Sequence, residues 1–434
     1  MARGNEVQSS RVFTGRALAL ASWLACAAPA AFAAEDKTYQ QLNVLIDALE
    51  YIKQDYVSNV DAQKLLYGAT NGMVEVLDPF SQYMPPDLAK DFKDETDGEF
   101  GGLGIRIGVQ GDWLSVVTPM PGTPAYRAGV LPNDRIVKLD DQNGKGLSLL
   151  EASRILRGAP GTKITITVAR PPAGAAKEWT PLEFALTREL IKVEAVQSRM
   201  LEGRIGYVRI IEFSAHVPRD LAKAVAGLVQ DGAASLILDL RNNPGGLLQG
   251  AVETASDFLS EGKLIVYTEG RERDSRRDFR VDRKARFGSL PMIVLVNEGS
   301  ASASEILAGA LQDHRRALIL GNRTFGKASV QALISLPDGS ALRLTVAKYF
   351  TPSGRSIHRD EKTGAGGILP DIVVPVDSDT AAKLQAQGEQ IYVPGRAAKP
   401  SDLPGGPVKD VVMDRAVELL EGFALLQARN PGGD

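Results

Sequence analysis

The chain has 434 residues, too many for one simple core, so two or more domains are expected. Its 50 Lys and Arg against 53 Asp and Glu leave a formal charge of −3, and 44% apolar content is ordinary for a globular protein. This balance, without any basic reading motif, argues against a nucleic-acid binder. The three histidines His216, His314 and His358 are too scattered to suggest a metal site.

At the start, Arg3, Arg11 and Arg16 precede the apolar run from Ala17 to Ala28 and the small-residue exit Ala31-Phe32-Ala33. This pattern predicts a secretory signal peptide over residues 1–33, cleaved near Ala33, and therefore an exported, periplasmic protein. The run is short for a membrane span of about 20 residues. Cys26, the one cysteine, lies inside this leader in a poor lipoprotein context. The mature chain is thus expected to use no disulfide, cysteine nucleophile or Cys-ligated metal, and no cofactor is called for.

Residues 34–97 read as a helical region. Leu42, Leu45, Leu49 and Ile52 mark one face of a first helix, and a second runs from about Ala62 to Leu77, where Asp78-Pro79 stops it.

Residues 98–188 change to short strands (Leu103–Val109, Leu114–Val117, Arg135–Leu139, Lys163–Arg170) with one helix near Leu149–Leu156. Gly101-Gly102-Leu103-Gly104-Ile105 is a glycine-rich turn entering a strand. Its N–H groups can converge on a carboxylate, and the strand edge beside it can accept an extended peptide. A plain tight turn is the simpler reading of those glycines alone. The downstream run from Pro119 to Ile136, with Ala128-Gly129 and Asn133-Asp134-Arg135-Ile136, resembles the PDZ domain. That resemblance implies that Gly102, Leu103, Gly104 and Ile105 bind the terminal carboxylate of a protein substrate, with the Leu149–Leu156 helix walling the groove.

Residues 189–376 alternate strands and helices: Ile205–Ile210, Leu221–Gln230, Leu236–Leu240, Leu248–Leu259, Leu264–Glu269, Met292–Val296 and Ala303–Asp313. Continuous apolar strands such as Ile293-Val294-Leu295-Val296 suit a sheet covered on both faces. The arginine-rich stretch Arg271 to Arg286 reads as a solvated hairpin before it reads as a docking surface. Residues 377–434 form a Pro/Gly-rich linker around Lys399 to Pro407 and a last helix with Val412, Ala416, Leu419, Phe423 and Leu426 on one face. The amphipathic helices at both ends can pack on the body or pair with another copy, so self-association through them is an expectation.

Three segments carry candidate chemistry. Asn297-Glu298-Gly299-Ser300-Ala301-Ser302-Ala303-Ser304-Glu305 leaves a buried-type strand and opens a helix, where a serine can be exposed and helix-end N–H groups can hold negative charge. Ser302-Ala303-Ser304-Glu305 also fits a capping box that needs no chemistry. Leu240-Arg241-Asn242-Asn243-Pro244-Gly245-Gly246 ends a buried strand in a turn able to face an oxyanion. Thr324-Phe325-Gly326-Lys327-Ala328-Ser329-Val330-Gln331 sets a lysine and a glutamine on one face, although a lone lysine is more often solvated.

Together these segments resemble the carboxyl-terminal processing, or tail-specific, peptidases, and the likeness runs from about Leu42 to Val376. It includes Leu77-Asp78-Pro79 with Ser81 and Tyr83, and Tyr349-Phe350-Thr351-Pro352-Ser353-Gly354-Arg355-Ser356-Ile357. Phe80 stands where that family often has histidine, a departure with no expected effect on catalysis. The resemblance implies a multidomain α/β fold: a crotonase-like (ClpP/crotonase-type) protease core with an inserted PDZ domain and helical terminal segments. It implies that Ser302 is the nucleophile, Lys327 the general base and Gln331 its orienter, with Ala303 and Gly245 or Gly246 holding the oxyanion. Spacing alone cannot choose Ser302 over Ser300 or Ser304. A lysine base requires burial that lowers its pKa from about 10.4. Some Gram-negative members work with a helper lipoprotein, so an adaptor is a further expectation. A silent peptide-binding relative is the alternative, and a crotonase-type acyl transferase a more distant one.

Overall fold

The computed structural model describes residues 35–429 apart from 111–112, 121, 132, 171–178, 193, 361–362, 378, 382, 385–386 and 388–407. The expected leader and the Lys399–Pro407 linker lie outside the described residues. The chain divides into two compact units, residues 1–70 and 71–434.

In the first unit, the helix Glu35–Asp55 extends the predicted face by about two turns at its start and about one at its end. Its stripe is largely uncovered, with Leu42, Leu45 and Ile52 all exposed. The helix Ala62–Glu75 runs into the second unit and stops before Asp78-Pro79, as the restricted backbone ahead of proline requires.

The second unit is organised by a six-stranded sheet in the order Val196–Leu201, Ile205–Ile210, Ser235–Asp239, Met292–Val296, Leu318–Gly321, Ile372–Val373. The first pair is antiparallel and the remaining pairs are parallel. Ser235–Asp239 and Met292–Val296 are buried at every position, because both faces are covered. One face packs on the helices Val217–Gln230, Leu248–Ser256 and Ala303–Asp313 through residues such as Leu238, Val294 and Leu307. The other receives the helix Val411–Arg429, whose Val412, Ala416 and Leu420 meet Ile237, Ile293 and Leu295. Phe423, Leu425 and Leu426 further along that helix are exposed.

A second sheet joins Gln82–Met84, Leu264–Gly270, Arg277–Arg280, Ser329–Ser335 and the long strand Ala341–Phe350. Periodicity did not single out Ser329–Ser335 as a strand. Its residues are half-buried or exposed, so no apolar run announces it. Arg277–Arg280 forms the expected hairpin with Leu264–Gly270. The neighbouring Arg283 and Arg286 turn inward to the buried carboxylate of Asp257.

The glycine-rich block folds around its own core, with six strands from Ile105–Gln110 to Thr180–Thr187 and the helix Leu149–Leu156. Asp134, in the signature run, is fully buried and accepts two hydrogen bonds from Arg170, at 2.8 Å each. The strand Glu99–Gly102 pairs with Glu189–Lys192, so the block leaves and re-enters the chain through one two-stranded ribbon. Among the described residues no helix is long and apolar enough to cross a membrane, and no cluster of His, Cys, Asp and Glu could hold a metal ion.

Candidate active site

Three loops converge at the carboxyl ends of the parallel strands, where open α/β sheets commonly hold their sites. The first follows Met292–Val296 and turns into Ala303–Asp313 at Ser302, whose φ of 53° and ψ of −114° are unusual for a residue with a Cβ. Backbone of this kind persists only where surrounding structure over-determines it. The neighbouring serines are spoken for. Ser300 and Ser304 are fully buried, and their hydroxyls donate to the carbonyls of Leu240 (2.8 Å) and Asn243 (3.0 Å). Ser302 is the partly exposed member of the three.

The second loop, after Ser235–Asp239, is stitched to the first. Asn242 N–H donates to Asn297 Oδ1, Asn297 Nδ2 to Asn242 Oδ1, and Ala301 N–H to the Asn243 carbonyl. Gly245 has φ of 104°, and a Cβ there would lie 2.7 Å from Ser302 Cβ and 2.9 Å from Ala303 N. Only glycine fits so close an approach. Gly245 N–H is directed at Asn243 Oδ1, whereas Gly246, at φ 130°, is solvent-facing. Behind this loop Asp239 accepts a hydrogen bond from Tyr207 and pairs with Arg241, which also reaches Asp410 at the foot of the C-terminal helix. Burial by itself would push the Asp239 carboxyl up, but the charges and hydrogen bonds of Arg241, with Arg209, hold it below the usual carboxylate range.

The third loop brings Lys327, with Gln331 in the following strand. Lys327 is half-buried and its Nζ lies 3.5 Å from Gln331 Oε1. Burial, and then the Arg343 guanidinium, hold its pKa below the ordinary lysine value, against the opposing pull of Asp78. No hydrogen bond joins Lys327 Nζ to Ser302 Oγ in this conformation. The fully buried Tyr349 phenol lies near the Ser302 side chain and donates to the Lys327 carbonyl.

Glu305 ties the first and third loops together. Its buried carboxylate accepts from Ser302 N–H (2.9 Å), Gly326 N–H (2.8 Å), Lys327 N–H (2.9 Å) and the Thr324 hydroxyl (2.5 Å). The capping pattern is therefore present, with Glu305 also binding the lysine loop. Burial raises the Glu305 pKa even though these four bonds oppose it.

Comparison with known proteins identifies the family. Residues 204–374 match Peptidase family S41, residues 115–170 a PDZ domain, and residues 24–87 the activating protease CtpB N-terminal domain. A carboxy-terminal-processing protease of Bartonella bacilliformis is 43% identical over 410 residues, covering 89% of this chain and 90% of its own. The chain belongs to this protease family. The carboxy-terminal processing protease CtpA of Bacillus subtilis is 35% identical, covering 84% of this chain and 77% of its own. An S41 protease structure from Bacteroides fragilis, 15% identical with a TM-score of 0.50, covers 86% of this chain and 97% of its own, and it shares the fold.

The protease is thus a carboxy-terminal processing serine peptidase with a PDZ domain that acts on protein substrates. In the block of strands that contains the PDZ match, the turn from Gly102 to Ile105 borders a small cavity of about 90 Å³, closed on one side by Ser153, Leu156 and Arg157. The N–H groups of Leu103 and Gly104 have no hydrogen-bond partner among the described residues, while their carbonyls accept from Ala125 and Met120. Gly104, at φ 70°, sits against Thr123, where a Cβ would be 2.3 Å away. Sequence reasoning missed Tyr349 as a site residue and gave Glu305 only the role of a cap. The one available signal was the proximity of Glu305 to a serine already under suspicion.

Proposed function

We propose that this protease is an exported, periplasmic endopeptidase that grips protein C-termini at Gly102, Leu103, Gly104 and Ile105 and cleaves by a Ser302–Lys327 mechanism. Ser302 attacks the scissile carbonyl and Lys327, oriented by Gln331, takes its proton and returns it to the leaving amine. The tetrahedral oxyanion is held by the N–H of Ala303 and one from the Gly245-Gly246 turn, of which Gly246 has the more open position. One such donor contributes roughly 3 kcal/mol to the transition state. The observation that carries this reading is the contrast among the three serines: Ser300 and Ser304 spend their hydroxyls on carbonyls, while Ser302 stands on an unusual backbone beside Gly245.

In this reading the present conformation is a resting one. Lys327, still held by Gln331, must close on Ser302 past Tyr349 before it can act as the base. The domain limits remain those read from sequence, with a PDZ domain at 98–188 and a crotonase-type core at 189–376. The exposed stripe on Glu35–Asp55 and the bare end of Val411–Arg429 support self-association through the terminal helices. A lipoprotein adaptor rests on the family likeness alone. The silent peptide-binder is disfavoured because the serine and lysine are both present.

The test is cleavage of an unfolded protein with an apolar C-terminus by the parent, Ser302→Ala and Lys327→Ala. Both variants are expected to lose activity by a thousandfold or more, on the order seen when a nucleophile or its base is removed. Parent-like cleavage by Ser302→Ala would show the nucleophile assignment to be wrong.

A further inference from the structure

Phe80 had no expected part in catalysis, yet its ring lies over the candidate base. Lys327 Nζ sits 4.9 Å from the ring centroid. The Phe80 carbonyl accepts a hydrogen bond from Gln331 Nε2, while Gln331 Oε1 faces Lys327 Nζ. One residue thus touches both the ammonium and the side chain that orients it.

Its placement is rigidly specified. Asp78 accepts from the N–H groups of Phe80 and Ser81 at 2.8 Å each, from the Ser81 hydroxyl at 2.8 Å, and from the Thr345 hydroxyl at 3.3 Å. Thr345 N–H returns a bond to Ser81 Oγ. Gln82–Met84 then pairs with Ala341–Arg343 of the long strand. The Asp-Pro-Phe-Ser turn is in this way clipped to the strand that runs beside Gln331.

We propose that Phe80 is a positioning residue for the base: its ring shields the Lys327 ammonium from water, and its carbonyl fixes Gln331 against the lysine. The inference rests on Lys327 acting as the base. Two charged groups face the lysine besides the ring, Arg343 from the long strand and Asp78 from the turn, and they act in opposite senses. A ring face favours the cation, whereas exclusion of water disfavours it. Leucine keeps the cover and drops the ring's attraction, so the two effects can be separated.

The experiment measures kcat/KM against pH with an unfolded protein substrate, on the full chain and on Phe80→Ala, Phe80→Leu and Lys327→Ala. A base must be neutral, so activity climbs through the lysine's pKa. Phe80→Ala, which admits water, is expected to move that limb upward by about one pH unit and to lower the rate at neutral pH about tenfold. Phe80→Leu is expected not to move it upward. Thermal midpoints show that each variant is folded. An unmoved limb in folded Phe80→Ala, with Lys327→Ala inactive, overturns the proposal and leaves the base assignment standing. An upward shift in Phe80→Leu equal to that in Phe80→Ala also overturns it. An active Lys327→Ala overturns the base assignment, and the role of Phe80 with it.

Discussion

Glu305 accepts four hydrogen bonds in a space that water does not reach, and three of the donors are backbone N–H groups of residues 302, 326 and 327. An amide in its place keeps the shape but offers one acceptor oxygen, and its NH2 would face those donors. Glu305→Gln is therefore expected to cost about 1–3 kcal/mol in a denaturation measurement, because buried donors are left unpaired. It should also lower kcat more than it changes KM, since the tie it weakens lies between the Ser302 and Lys327 loops, the pair proposed to carry the chemistry. Ser302 was visible in the sequence as one of three serines, and no spacing rule could choose among them. What sets Ser302 apart is where the other two hydroxyls go, to carbonyls of residues 240 and 243 about sixty positions away in sequence, and that is a matter of tertiary structure. Tyr349 was hidden for a similar reason. Within its own strand it is one aromatic among alternating residues, and its hydroxyl meets the site only because that strand passes beneath the lysine loop.

At the scale of elements, the strand–loop–helix unit from Met292 to Asp313 was legible down to its boundaries. A five-residue apolar run and a serine cap followed by glutamate are strong local signals. Lys163–Arg170 and Leu149–Leu156 were legible on the same grounds. Ser329–Ser335 was not, because it is an edge strand with mixed exposure and a bulge between Val330 and Gln331. The Gly245 turn is the element most sensitive to change. A methyl group at Gly245 must occupy space 2.7 Å from Ser302 Cβ and 2.8 Å from the Ala301 carbonyl, at a φ that L residues avoid. Gly245→Ala is expected to reduce kcat/KM by at least about a hundredfold, the size of effect that slight misplacement of a reacting group produces. A comparison of melting curves separates lost alignment from lost folding.

At the scale of the molecule, terminal helices were expected from periodicity, but which parts of them would be covered was not readable. The Val411–Arg429 helix is anchored through its first half and bare through Phe423, Leu425 and Leu426, and the Glu35–Asp55 helix leaves its stripe uncovered. If those surfaces meet in an assembly, Leu42→Glu together with Leu45→Glu should lower the mass measured by sedimentation, with the PDZ and peptidase cores still folded. An unchanged mass would mean that the Glu35–Asp55 stripe is not part of the interface.

The bond between Arg241 and Asp410 gives that last helix a second significance. Arg241 stands immediately before the Asn242–Gly246 turn, and one of its two carboxylate partners belongs to the tail segment. Asp410 also caps the helix, accepting from Met413 N–H at 3.1 Å. Asp410→Asn is expected to slow cleavage by roughly tenfold while leaving the helix docked, as loosening of a catalytic loop would do. Through this pair the last helix braces the turn that carries Gly245 and Gly246, so the tail of the chain and its centre move as one piece.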